Sequence, residues 1–258
     1  MAKTSTKDNK SIKSKERVNK FGEVFTPENI VKDMLNMDGV RECSYSLDKT
    51  FLEPSCGTGN FLVEIIARKL SCLDKIEKDD VDKWAMSMLQ AVSTIYGVDI
   101  QGDNVEESRE RMFDIIRDKY KAVYGVDMPD DLERCVNMIL NHNIVCGNFL
   151  TEKYVKDTVN PDHYMQELVD AGYEPTSERS LEFFNHEDFN GDSDEKAALL
   201  VIEWNYDFDN HTILPKAYTF QQIKDGGNTS TWECVSPVKY DHLFEAEMPA
   251  EDDGFDML

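Results

Sequence analysis

The sequence predicts an α/β chain in which parallel strands form one sheet with helices on both faces. Three observations carry that expectation. Residues 51–62 read as the end of a strand, a tight glycine turn and the start of a helix. Residues 93–100 read as a second strand closed by an acid, Asp99, and residues 143–150 as a third. Helical spacing fills the gaps, with Trp84, Met88 and Ala91 before the second strand and Val105, Met112, Ile115 and Ile116 after it. Strand and helix in alternation are the pattern of a parallel sheet with crossover helices. At 258 residues the chain has the length of one such domain with decoration.

Taken in order, the first 20 residues carry seven Lys/Arg against two acids and read as a basic, disordered arm. In the segment 21–31, Thr26 has the character of an N-cap, Pro27 fits the first helical position and Asn29 the third. Ile30, Met34 and Met37 or Leu35 then make an apolar helical stripe. In the glycine turn, Gly57 and Gly59 let the backbone take positive φ and come close to a ligand. The helix that follows aims its free N–H groups and the positive end of its dipole at the same place. The turn lacks the third glycine of a dinucleotide fingerprint, where Leu62 stands, and the Lys-Ser/Thr of a P-loop. Glu53-Pro54 sets an acid at the strand end instead, which can accept hydrogen bonds from a cationic amine or be held by the turn's own amides. Asp99, at the end of the second strand, is placed to accept the hydroxyls of a ribose.

The string Glu53-Pro54-Ser55-Cys56-Gly57-Thr58-Gly59-Asn60-Phe61 closely resembles the first cofactor motif of amino-methylating DNA methyltransferases, D/E/N-P-x-x-G-x-G-x-F/L. Phe25-Thr26-Pro27 resembles the aromatic-Thr-Pro segment that precedes this motif in the γ-type adenine methyltransferases. Gly97-Val98-Asp99-Ile100 and Gly147-Asn148-Phe149-Leu150 resemble the two motifs that follow it, so that the resemblance covers residues 21–150. It implies a Rossmann-like methyltransferase sheet with S-adenosylmethionine as cofactor. Phe25, Thr26 and Pro27 would close over the methionine end, and Glu53, Pro54, Gly57, Gly59, Asn60 and Phe61 would form the turn beneath it. Asp99 would hold the ribose with Ile100 beside it, and Asn148 and Phe149 would face the adenine amino group and ring. The activity implied is transfer of a methyl group to adenine N6 in DNA, of the restriction–modification kind.

That chemistry needs a further device, because the exocyclic nitrogen of adenine is a poor nucleophile. In the family an Asn/Asp/Ser-Pro-Pro-Tyr/Phe turn supplies acceptors for the amino hydrogens and an aromatic ring for the flipped base. No intact copy is present. Asn160-Pro161-Asp162-His163-Tyr164 resembles it with one proline replaced and one residue inserted, and Ser236-Pro237-Val238-Lys239-Tyr240 has the same defects. Residues 198–202 make the better buried strand, and Asn205-Tyr206 follows it without a proline. Asn205 and Tyr206 are therefore the leading catalytic candidates, with Asn160, Pro161 and Tyr164 behind them. Residues 151–244 are expected to hold an acidic insertion and the remaining strands of a shortened sheet. These include a hairpin of 213–220 with 231–235 around Gly226-Gly227-Asn228.

Charge bears on the partner. The net charge is −23, and residues 151–258 carry seven Lys/Arg against 25 acids. DNA affinity rests on neutralising phosphates with Lys and Arg, so unaided DNA binding is expected to be weak. Residues 245–258 read as an acidic, disordered tail. Six cysteines without a C-x-x-C pair and five scattered histidines give no metal pattern. No signal peptide or membrane-length apolar run is seen, and a cytoplasmic protein with reduced thiols is expected. Two functions stay open: an adenine-N6 DNA methyltransferase, or a catalytically inactive methyltransferase-like subunit or acidic interaction protein. The second would bind cofactor, a specificity or restriction subunit, or another DNA-processing partner.

Overall fold

The computed structural model describes residues 13–15, 17–18, 23–150, 152–155, 195–226, 229–246 and 248–249. Three short strands, β1 (Phe51–Glu53), β2 (Ile95–Asp99) and β3 (Ile144–Asn148), run parallel in that order. Leu52 pairs with Tyr96, and Val98 with Val145. The chain then reverses. β4 (Lys153–Val155) pairs antiparallel with β3, and β5 (Glu195–Ala198) antiparallel with β4. The result is an open, mixed sheet in the order β1-β2-β3-β4-β5, with β1 at one edge.

The helices form where the apolar spacing is helical. α1 (Glu28–Leu35) buries Val31 and Leu35, and α2 (Val40–Ser44) is a single short turn of helix. α3 (Asn60–Ser71) buries Leu62, Ile65, Ile66 and Leu70, and α4 (Val81–Ser93) is capped by Asp80 and buries Trp84, Met88 and Leu89. α5 (Gly102–Tyr124) runs beyond the helical spacing that ends at Ile116 and stops at Gly125, whose φ of 72° is left-handed. α6 (Asp130–Asn143) leads directly into β3. Two cations on α3 are buried to fasten the approach to β1. Arg68 donates to the Leu35 carbonyl at 2.8 Å, and the Lys69 ammonium to the carbonyls of Ser46 and Lys49 at 2.6 Å each. Burial lowers Lys69 from its ordinary value to about 8, against the opposing pull of Asp48.

The two faces of the sheet are covered differently. Ile95 and Ile144 belong to the main core with the helices, and a side chain added at Gly97 would strike Leu62 of α3. Val98 and Val145 point the other way, into a smaller cluster with Tyr154 and Leu199 that Leu200 and Phe220 complete. Among the described residues the second face is therefore covered by strand residues and the short helix α7 (Phe220–Lys224), not by the helices expected on both faces.

The better strand of the C-terminal half forms, but not as a member of the parallel sheet. β6 (Leu200–Asp207) pairs along its whole length with β7 (Thr212–Thr219) in a separate antiparallel sheet, joined by β8 (Trp232–Glu233) and β9 (Val238–Lys239). The expected hairpin of 213–220 with 231–235 exists as β7 and β8, with α7 set between them. Its dominant neighbour is β6, because alternation along β6 puts Ile202 and Trp204 inward over α4 and α6. Trp204 donates to the Asn143 side chain at 3.0 Å, and Asn143 in turn donates to the carbonyls of Ser93 and Ile95. These contacts lie where α4 ends and β2 begins, at the amino edge of the parallel strands.

Candidate functional site

At the opposite, carboxyl edge, β1 passes into the glycine turn and α3. Gly57 has φ 52° and Gly59 φ 82°, the left-handed conformation that favours glycine. Neighbours enforce the close fit. A side chain at Gly57 would come within 3.0 Å of the Phe25 ring, and one at Gly59 within 2.8 Å of the Ser108 hydroxyl. Ser108 donates to the Gly57 carbonyl at 2.9 Å. Asn60 ties the turn to the segment before it by donating to the Thr26 carbonyl at 2.9 Å, and Arg111 donates to the Asn60 side chain.

Asp99 stands at the end of β2, 7% exposed, and holds the turn from below. One carboxylate oxygen accepts the Gly57 N–H at 2.8 Å. The other accepts the Gln101 N–H at 2.9 Å and the Asn104 amide at 3.2 Å. Burial raises its affinity for a proton, the three hydrogen bonds oppose that, and nearby Glu23 adds to it. Asn104 also donates to Glu23 at 2.8 Å, and Arg17 pairs with Glu23 at 2.6 Å. Burial works against the Arg17 charge, but hydrogen bonds to Asp103 and Glu23 outweigh it and hold the guanidinium strongly protonated.

A cleft of about 200 Å³ opens over this turn. Phe25, Thr26, Glu53, Gly57, Asn60, Phe61, Asp99 and Ile100 line it, eight of the residues singled out from the sequence. Pro27 and Pro54 are exposed beside it, and Gly59 acts beneath it through the turn. Six further lining residues were not anticipated: Glu23, Val24, Ser55, Cys56, Gln101 and Asn104. The polar ones had a faint signal, since Glu23 stands two residues before Phe25, and Gln101 and Asn104 follow Asp99 in the helix start. Burial pushes the Cys56 thiol well up, and Asp99 adds to it. Burial also raises Glu53, partly offset by the main-chain N–H of Ser55. Glu53 has no ion pair among the described residues. Three carboxylates, Glu23, Glu53 and Asp99, thus wall the cleft, and of these Glu23 is paired with Arg17.

Several expectations are corrected here. Thr26 is not the N-cap of α1. Pro27 takes that position, because the Thr26 carbonyl serves Asn60 while the Pro27 carbonyl accepts the first helical N–H, from Val31. The buried stripe of α1 is Val31 and Leu35, while Ile30 and Met34 are exposed. Lys13 and Arg17 of the basic arm are docked on α5, with Lys13 on Asp103 and Glu107 at 2.9 and 3.0 Å and Arg17 on Asp103 at 2.6 Å.

Asn148 and Phe149 do not line the cleft. The tight reversal from β3 into β4 takes the Asn148 side-chain oxygen for the Leu150 N–H, and Phe149 packs edge-on against Phe220 at 5.3 Å. The leading catalytic candidates, Asn205 and Tyr206, lie within β6 rather than in a turn. Asn205 is exposed and donates to the Leu214 carbonyl, and Tyr206 is turned inward so that burial pushes its phenol up. Its hydroxyl faces Ser93 without a hydrogen bond of good geometry. Both residues therefore belong to the amino-edge packing, away from the cleft. Asn160, Pro161 and Tyr164 lie outside the described residues.

Among the described residues no helix is long and apolar enough to cross a membrane. No cluster of three or more His, Cys, Asp or Glu fit to hold a metal occurs among them either. Comparison of the chain with protein-family models, with curated proteins and with solved structures gives no match.

Proposed function

We propose that this chain binds S-adenosylmethionine in the carboxyl-edge cleft and serves methyl transfer to adenine N6 in DNA. The observation that carries the reading is a glycine turn joined to an acidic wall. Helix N-termini and glycine turns ordinarily attract phosphate, but a phosphate here would meet Glu23, Glu53 and Asp99. A ligand bearing an ammonium and a sulfonium turns that repulsion into attraction. Glu53, half-buried and without a cation among the described residues, suits the ammonium group, and the turn's main-chain amides suit a carboxylate. Asp99 and Ile100 would take the nucleoside, with Phe25 over the turn. The enclosed volume of about 200 Å³ is below the usual range for small-molecule sites. The nucleobase would therefore extend along the sheet edge toward Asn148 and Phe149. When bound, the cofactor supplies an electrophilic methyl group.

Calorimetric titration with S-adenosylmethionine and its demethylated product tests the binding, and absence of heat with both overturns it. Mass spectrometry for N6-methyladenine in DNA from a methylation-free expression host tests the transfer.

A second reading is that the chain holds the cofactor without methylating DNA itself. It is favoured by the absence, among the described residues, of an acceptor turn at the cleft, Asn205 and Tyr206 being packed at the other edge. DNA and the missing acceptors would then come with a specificity or restriction subunit. The acidic surface agrees with weak DNA binding by the chain alone.

A further inference from the structure

We infer that Gln101 is a specificity-determining residue of the cleft, reading the ribose of the nucleoside ligand together with Asp99. The inference rests on the cofactor reading proposed above. Two observations carry it. The Asp99 carboxylate, which has acceptor sites for about four donors, already receives three, from Gly57, Gln101 and Asn104. It has room for one hydroxyl of a vicinal diol but is poorly provided for two.

Two residues on, Gln101 lines the same cleft and is only 5% exposed. Its amide nitrogen is buried with no acceptor, one of two such side-chain atoms among the described residues. A buried donor left unpaired is destabilising, and its retention in the wall of a cleft points to an acceptor that arrives with the ligand. The two groups are complementary. The ionised Asp99 can only accept and receives a hydrogen bond from one hydroxyl, while the Gln101 amide donates to the oxygen of the other. Ile100 between them lines the cleft and offers the sugar an apolar contact.

The test is calorimetric titration of the full chain with S-adenosylhomocysteine and with its 2′-deoxy and 3′-deoxy analogues. The wild type is expected to prefer the ribonucleoside over at least one deoxy analogue by about tenfold, the size of one good hydrogen bond. Gln101→Leu is expected to lose about tenfold for the ribonucleoside and little for that analogue, so that the preference collapses. Its thermal melting should stay at or above that of the wild type, because the orphan donor is gone. A wild-type preference retained in Gln101→Leu overturns the inference while leaving the cofactor reading intact. Equal losses for all three ligands overturn it too, since that is the behaviour of a merely structural residue. Absence of binding by the wild type to any of them overturns both.

Discussion

At the carboxyl edge of the parallel strands, the Gln101 amide nitrogen meets no acceptor among the described residues, and Glu53 meets the Ser55 main-chain N–H but no cation there. In the antiparallel hairpin, polar side chains are spent on packing. Trp204 is bonded to Asn143, Asn143 to two carbonyls, the Tyr96 hydroxyl to the Ile202 carbonyl, and the Tyr240 hydroxyl to Asp82. On the reading proposed here, the contrast separates a region that receives a ligand from one that holds the molecule together. An unmet buried polar group is costly, and an ordinary structural surface removes it. Tyr206 is the exception in the hairpin, a buried hydroxyl without a partner far from the cleft.

The largest expected effect tests the structural half. Trp204→Ala deletes a side chain that is 7% exposed and strands the Asn143 oxygen. It should cost about 3–5 kcal/mol in urea unfolding, with cofactor affinity of the folded protein unchanged. A loss near zero would remove the hairpin from the role assigned to it.

Asp99→Ala strikes the other region. It removes the acceptor for Gly57, Gln101 and Asn104 as well as the proposed ribose contact. Binding of S-adenosylhomocysteine should weaken by about 2–3 kcal/mol in calorimetry. Unaltered affinity would mean that the turn is a structural joint only.

Glu53→Gln should sharpen the contrast between the regions by moving affinity and stability in opposite directions. Loss of the charged contact should weaken the amino-acid end of the cofactor by about 1.5 kcal/mol. The sign for stability follows from burial, which raises Glu53 above its ordinary 4.5 in the folded state. The stability it contributes is full below that ordinary value and is lost as pH rises through the folded value. The variant, neutral throughout, should melt with the wild type near pH 4 and above it near pH 7. A wild type that gains on the variant with rising pH would show that Glu53 has a cation partner.

The smallest effects belong to the leading sequence candidates for catalysis. Tyr206→Phe removes the orphan hydroxyl and should stabilise the chain by up to about 1 kcal/mol. Asn205→Ala, on an exposed strand face, should stay within about 0.5 kcal/mol. Neither should change cofactor affinity or the N6-methyladenine yield. A strong loss of methylation in Asn205→Ala, with stability intact, would bring the hairpin back to the active site.

The local backbone of the cleft is legible in residues that neighbour one another along the chain. Two glycines one residue apart dictate the left-handed turn, and helical spacing after Asn60 dictates what the turn leads into. A strand closed by Asp99 and an aromatic-Thr-Pro segment were equally readable, because each rests on neighbours a few residues apart. Partnership was not readable in this way. Alternation along residues 200–207 says which side chains are buried but not which strand lies alongside. Only the packing of Ile202 and Trp204 on α4 and α6 sent that strand into an antiparallel sheet and took Asn205 and Tyr206 with it. The same holds for Asn148 and Phe149, drawn off by a reversal and by Phe220. It holds for Glu23 and Gln101 too, whose place in the cleft comes from Asn104 bridging Glu23 to Asp99 and from the start of α5. Backbone conformation is decided over a turn of chain, whereas contact between distant segments depends on which buried surfaces fit, and that exists only once the whole chain has closed on itself.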